Sequence, residues 1–233
     1  MDVGDPPTGI RLARLFHHKI KILKVGSRLF TAGGPALLGK LTRYVSEIFL
    51  DLKFHDIPNS VAGAVRAAAE LPGVRMLTLH ACGGSAMMRA ARDAVGSHRG
   101  RPKLLAVTVL TSFDATELRR VGIKRSPSEQ VLRLAELAQS SGMDGVVASP
   151  LEVAAIRKLT GPDFLIVVPG IRPAGAAGSP GEKSLKDDQR RVATPAVALK
   201  AGADYLVVGR PILEAANPVA AAEAVLREMA AVR

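Results

Sequence analysis

The chain has few of the residues that build disulfides, metal clusters and stacking surfaces. Its 233 residues include one cysteine (Cys82), no tryptophan and 3% aromatic residues. A single cysteine excludes an internal disulfide and a cysteine-rich metal or redox centre, and we expect it to be a small buried residue. The net charge of +11 is spread along the chain. Without aromatic side chains to stack on bases, this charge does not predict a nucleic-acid surface.

Long apolar runs are also missing. No stretch approaches the roughly 20 consecutive apolar residues of a membrane helix. The first residues, with Asp2, Asp5 and two prolines, lack the pattern of a signal peptide. The sequence therefore predicts no membrane partner and a cytoplasmic location.

Short apolar runs rich in β-branched residues alternate with amphipathic stretches of helical length. This pattern predicts βα units and a parallel sheet. The length and the 48% hydrophobic content fit one domain, residues 1–233. The predicted strands are Ile20–Val25, Glu47–Lys53, Met76–His80, Leu104–Leu110, Gly145–Ala148, Leu165–Val168 and Tyr205–Val208.

The first βα unit is incomplete. A helix-like stretch precedes the Ile20 strand, and only Met1 and Asp2 remain where an earlier strand would end. Counting this stub gives eight strands, which predicts a (β/α)8 barrel with a truncated first strand rather than an open sheet. We expect the natural protein to carry an apolar strand that runs directly into Asp2.

The segment from Arg172 to Arg191 is rich in Gly, Pro, Ser, Lys and Asp and shows no apolar period. It predicts a long loop over about residues 171–193. Loops of this length inside a compact domain are either binding lids or disordered segments, and both interpretations stay open.

Charged residues collect at the end of the second predicted strand. Asp51 and Lys53 are two residues apart and share a face, and Asp56 follows. In a barrel this face looks into the mouth, where catalytic side chains lie at the carboxyl ends of strands. Lys24 ends the preceding strand, so two lysines and two aspartates are expected to converge and keep one another charged. Taken alone, the segment also fits a salt-bridged strand end.

Five segments resemble the signature segments of bacterial orotidine 5′-monophosphate decarboxylases and occur in the order of that family. The resemblance implies a lyase that converts orotidine 5′-monophosphate to UMP in pyrimidine biosynthesis, on a (β/α)8 barrel. The segments are Lys24-Val25-Gly26, Asp51 to Ser60, Gly170-Ile171-Arg172-Pro173, Asp188-Gln189-Arg190-Arg191 and Val208-Gly209-Arg210-Pro211.

The same resemblance assigns the catalytic roles. It implies that Lys53 donates the proton to C6 of the base, that Asp51 holds Lys53 and faces the substrate carboxylate, and that Lys24 and Asp56 complete the network. Loss of CO₂ leaves a vinyl carbanion, which a fixed cation can stabilise. We therefore expect no metal and no organic cofactor.

The resemblance also implies a homodimer with shared active sites. Asp56, Ile57 and Ser60 would reach into the site of the other subunit, and Ser60 stands where the family has threonine. Asp2 matches the family's ribose-binding aspartate at the end of the first strand.

Phosphate binding is expected after the last two strands. Barrels commonly bind phosphate there, at loops and a helix N-terminus. Gly170 and Arg172 follow one strand, and Gly209 and Arg210 follow the next. A glycine lets the backbone approach a phosphate, and a guanidinium pairs with it in a bidentate manner.

Two further contacts rest on the resemblance alone. Gln189 would bridge the phosphate and the base, although the extra segment Gly178–Lys183 makes its loop longer than usual. Thr111 matches a base-contacting hydroxyl, and a strand-end threonine is also a common turn residue.

Two rival functions remain. A metal-dependent sugar-phosphate decarboxylase or aldolase shares the Asp-x-Lys-x-x-Asp pattern, but the ammonium of Lys24 would repel the ion, and His55 and His80 lack tight ligand spacing. A non-catalytic phosphoribosyl-binding protein is consistent with the missing first strand. The presence of all four charged residues argues against this second rival.

Overall fold

The computed structural model describes residues 1–173 and 191–232. Seven strands lie in one sheet in chain order, and the pairs β1–β2, β2–β3, β5–β6 and β6–β7 are parallel. All seven predicted strands are present. They are β1 (Ile22–Gly26), β2 (Glu47–Phe54), β3 (Val74–His80), β4 (Lys103–Val107), β5 (Gly145–Val147), β6 (Leu165–Val168) and β7 (Tyr205–Leu206).

Helices fill the intervals between the strands. In the described residues none of them combines the length and hydropathy needed to cross a membrane. They are α1 (Pro6–Leu15), α2 (Ser27–Gly33), α3 (Ala36–Leu41), α4 (Pro58–Ala69), α5 (Gly84–Val95), α6 (Ala115–Arg120), α7 (Pro127–Ser140), α8 (Val153–Thr160), α9 (Pro195–Lys200), α10 (Arg210–Leu213) and α11 (Pro218–Ala230), with 3₁₀ turns at Ala81–Gly83 and Pro150–Glu152.

The start of α7 shows how local sequence sets an element. The Ser126 backbone N–H donates to Glu129 Oε2 at 2.9 Å, and the Glu129 N–H donates to Ser126 Oγ at 3.3 Å. These reciprocal bonds satisfy two backbone donors that have no partner inside the helix. Gly142, with a φ of 78°, follows the end of the helix.

The chain divides into two compact units. The first comprises Met1–Leu105 and Ser141–Met143, and the second comprises Ala106–Ser140 and Asp144–Arg233. Each has its own apolar core. The fully buried side chains of the first unit include Leu29, Leu38, Leu50, Leu77 and Met87, and those of the second include Val131, Val146, Val153, Ile156 and Ile166.

Three expectations about local structure were wrong. The first strand begins at Ile22, because the Ile20 N–H donates back to Phe16 O in a turn. The fourth ends at Val107, because the chain turns where Leu110 O accepts from the Phe113 N–H. Cys82 is exposed, since it lies in the 3₁₀ turn after β3 rather than in a strand.

The residues before α1 form no strand of their own. The Met1 side chain is buried, and its ammonium donates to the Lys24 carbonyl of β1. This contact places the first residues beside β1, while the Asp2 side chain is exposed.

Candidate active site

Three charged side chains meet at the carboxyl ends of β1 and β2 in the first unit. Lys24 Nζ lies 2.8 Å from Asp51 Oδ2, and Lys53 Nζ lies 2.9 Å from the same oxygen. The parallel register explains the contact, because Gly26 pairs with Asp51 and brings the two strand ends together. We call Lys24, Asp51 and Lys53 the charged trio.

Thr78 fixes the other oxygen of the carboxylate. Its hydroxyl donates to Asp51 Oδ1 at 2.9 Å and accepts from the Lys53 backbone N–H at 2.9 Å. Thr78 is fully buried on β3. The sequence analysis missed it, and the available signal was a single polar residue inside the apolar run Met76–Leu79.

Lys53 reaches the cluster through an unusual backbone. Its φ is +52°, and the pairing of β2 with β3 shifts register between Leu50 and Phe54. A left-handed non-glycine residue costs on the order of 1–3 kcal/mol and is frequent at functional sites. Lys53 and Asp51 therefore meet through a local irregularity, not through the strict alternation that the sequence predicts.

The two lysines set the charge state of Asp51. Burial alone would raise its pKa, but the ammonium groups of Lys24 and Lys53 outweigh burial and lower the pKa to about 2. Asp51 is thus a carboxylate at neutral pH, and the trio carries one net positive charge.

Because the pKa of Asp51 is lowered in the folded protein, the free energy of unfolding should depend on pH. A folded pKa of about 2 lies below the ordinary value of 3.8, so ionised Asp51 contributes about 2 kcal/mol to the free energy of unfolding, fully present above about pH 5. The contribution is lost as the pH falls towards 2. We expect urea unfolding to show Asp51→Asn less stable than wild type at pH 7, with a gap that narrows towards pH 2.5. Exposed Asp93→Asn is the control, and a gap independent of pH would contradict the assignment.

Asp56 does not join the trio within one chain. It is exposed, its Oδ1 accepts from the Ile57 N–H at 2.6 Å, and it makes no ion pair in the described part of the chain. The expected convergence of two lysines and two aspartates is therefore wrong for a single chain. Residues 55–60 are all exposed, including Ser60 and Ile57, whose exposed fraction is 66%.

Two histidines lie beside the trio. The rings of His55 and His80 are 5.5 Å apart and tilted. Burial and the nearby charges of His55 and Lys53 lower the pKa of His80, which favours its neutral form. Across residues 1–173 and 191–232, no three His, Cys, Asp or Glu side chains come close enough to hold a metal ion.

The residues expected to bind phosphate lie in the second unit. Gly170 and Arg172 follow β6, and Gly170 has a φ of 76°. Arg172 is buried, and its backbone N–H donates to Ala193 O at 2.9 Å. Gly209 caps α10, which begins at Arg210, and a Cβ at Gly209 would meet nothing within 4 Å.

The other expected binding residues have separate positions. Thr111 is half-buried and lies within the turn 110–113 that follows β4. Gln189 and the segment Gly178–Lys183 lie outside the described residues.

Known proteins show what the chain is similar to. The family described as "Orotidine 5'-phosphate decarboxylase / HUMPS family" matches residues 1–225. The orotidine 5'-phosphate decarboxylase of Trichlorobacter lovleyi is 53% identical over 222 residues, 94% of this chain and 88% of that protein. The enzyme of the same name from Moorella thermoacetica is 50% identical over 239 residues, covering 100% of this chain and 91% of that protein.

Solved structures agree with these sequence matches. The crystal structure of orotidine 5'-phosphate decarboxylase from Lactobacillus acidophilus has a TM-score of 0.81 and 41% identity, and the alignment covers 98% of this chain and 96% of that one. The enzyme from Pyrococcus horikoshii OT3 has a TM-score of 0.74 at 25% identity, with the same coverage. The expected fold class, a (β/α)8 barrel, is confirmed.

Proposed function

The chain belongs to the orotidine 5'-phosphate decarboxylase / HUMPS family, and from that premise we propose that it converts orotidine 5′-monophosphate to UMP and CO₂ without a cofactor. Relatives of about 50% identity that carry the decarboxylase name support a carboxy-lyase of pyrimidine biosynthesis. The charged trio carries the cofactor-free part of the proposal, because it holds two ammonium groups on one fixed carboxylate oxygen.

In the proposed reaction the bond between C6 and the substrate carboxylate breaks, and its electron pair stays on C6. The Lys53 ammonium lies where this charge develops, stabilises it, and then transfers a proton to C6. Lys53 is left as a neutral amine and regains a proton from water. Asp51 orients Lys53, and Thr78 prevents the carboxylate from rotating.

The remaining candidate residues have binding roles in this proposal. Arg172, Gly209 and Arg210 bind the phosphate, and Gln189 bridges the phosphate and the base. Thr111 contacts the base, Asp2 contacts the ribose, and Lys24 and Asp51 also bind the substrate. Asp56, Ile57 and Ser60 complete the site of a second subunit in a homodimer. The exposed apolar side chain of Ile57 supports such a contact, since an interface would cover it. We place the enzyme in the cytoplasm with the other steps of nucleotide synthesis.

The chemistry of the trio disfavours a divalent metal ion. Both oxygens of Asp51 already accept hydrogen bonds, and two ammonium groups surround the carboxylate. A divalent cation would displace these donors and meet their positive charge. This donor set argues against the metal-dependent sugar-phosphate reaction.

We therefore expect UMP formation to be independent of metal. The decrease in orotidylate absorbance, followed with purified protein before and after dialysis against excess EDTA, should give the same rate. Loss of activity with EDTA and its return with Mg²⁺ would overturn the cofactor-free mechanism. Absence of UMP under every condition would overturn the decarboxylase function itself.

A further inference from the structure

Glu152 is a buried carboxylate with no part in the proposed chemistry. It ends the 3₁₀ turn after β5, and its exposed fraction is 3%. Glutamate is almost never fully buried unless it is paired, because a low-dielectric environment disfavours its charge. Its partners should therefore show what this position does.

Its main partner is Arg191. Arg191 Nη1 donates to Glu152 Oε1 at 2.8 Å, and the exposed fractions of the two side chains are 10% and 3%. The Ser128 hydroxyl donates to the same oxygen at 3.1 Å. Glu152 Oε2 and Arg191 Nε are buried and have no hydrogen-bond partner among the described residues.

Such a pair is a poor source of stability. Desolvation of two charges offsets most of their attraction, and each buried polar atom without a partner adds a further cost. A well-packed apolar pair would serve stability at least as well. The arrangement is better explained by what it holds in place.

Arg191 begins the segment that supports Arg172. Two residues further on, Ala193 forms a parallel bridge with Ile171, in which the Arg172 N–H donates to Ala193 O at 2.9 Å and the Ala193 N–H donates to Gly170 O at 3.3 Å. The Arg191 guanidinium also donates from Nη2 to Leu110 O at 3.4 Å. Arg191 thus links the strand-end segment 170–172 to Leu110, the first residue of the turn that follows β4.

We propose that Glu152 is a positioning residue for phosphate binding, which acts through Arg191 to fix the backbone of Arg172. The inference rests on the proposed function, in which Arg172 binds the phosphate. Glu152 lies on a different segment from Arg172 and is connected to it through Arg191. All of its contacts are within the second unit.

The test compares two competitive inhibitors, UMP and uridine, which differ only in the phosphate. Glu152→Gln keeps the shape and the acceptor oxygen but removes the charge opposite Arg191. We expect the inhibition constant of UMP to rise at least about tenfold, because a small misplacement of a binding group is costly, while that of uridine stays within twofold. A purely structural role would weaken both inhibitors alike, and that result, or an unchanged UMP constant, would overturn the inference.

Ser128→Ala is the matched control. It removes the second hydrogen bond to the same carboxylate oxygen and leaves the ion pair, so both inhibition constants should stay near wild type. A tenfold rise for UMP in this variant would mean that packing around Glu152, and not its pairing with Arg191, is responsible.

A second variant covers the case in which Glu152→Gln does not fold. Glu152→Gln/Arg191→Gln buries no unpaired charge and should fold, yet it should show the same selective loss of UMP. Equal loss of both inhibitors would again overturn the inference. A wild-type protein that neither forms UMP nor binds it would instead refute the proposed function, so the two failures are distinguishable.

Discussion

Lys53→Ala should lower kcat by at least about 10³-fold while UMP still binds within a few-fold of wild type, because the ammonium acts on charge that appears only in the transition state. The variant should fold. Lys24 remains 2.8 Å from Asp51, so the carboxylate keeps one cation, and its other oxygen keeps the hydrogen bond from the Thr78 hydroxyl. Steady-state kinetics and UMP titration measure the two effects separately.

Backbone strain requires a second variant at this position. Lys53 has a φ of +52°, a conformation that alanine tolerates poorly and glycine adopts readily. Lys53→Gly should therefore be as inactive as Lys53→Ala but more stable. Lys21→Ala is the control for loss of a lysine, since Lys21 is exposed and pairs with Glu47 at the other ends of β1 and β2. A Lys53 variant that kept a tenth of wild-type kcat would contradict the assignment.

The contact of Lys24 with Asp51 could be predicted because it follows from topology. Parallel neighbouring strands end at the same edge of a sheet, so the polar residues that end consecutive strands lie close together. The positions of Lys24 and Asp51 are set by their strands and not by a loop, a partner chain or a distant side chain. Capping signals were informative for the same reason, since Ser126 and Glu129 act within one helical turn.

The conformation of Lys53 could not be predicted from alternation. The register shift between β2 and β3 depends on how two strands from different parts of the chain pair, and Thr78 stabilises it from β3. A pattern within one strand carries no information on that pairing. Glu152 and Arg191 are separated by 39 residues, and neither has a local signal for the other.

The position of Asp56 could not be predicted from the sequence for a different reason. Its place in the sequence, three residues after Lys53, suggests the same site, but β2 ends at Phe54 and α4 begins at Pro58. Within one subunit the carboxylate is therefore directed to solvent and to the Ile57 N–H. In the proposed homodimer, a second subunit would bring the Asp56 carboxylate to the charged trio.

This arrangement predicts that two inactive proteins restore activity to each other. Lys53→Ala and Asp56→Ala homodimers should each lack nearly all turnover, because every site lacks one of the two groups. In a hybrid dimer one site receives both substitutions and the other receives neither. Random exchange of equal amounts gives about half hybrids with one intact site of two, so the mixture should regain about a quarter of wild-type activity.

Subunit exchange must be shown independently, for example by native mass spectrometry of the mixture after mild dissociation and dilution. Mixing Lys53→Ala with Asp51→Asn is the matched control. Asp51 lies 2.9 Å from Lys53 in the same subunit. Each subunit of the hybrid dimer therefore contributes a trio with one substituted residue, and no intact site can form. Recovery in the first mixture alone would assign Asp56 to the neighbouring site. Exchange without recovery would show that Asp56 acts within its own subunit, and an active Asp56→Ala homodimer would show that its carboxylate is not needed for turnover.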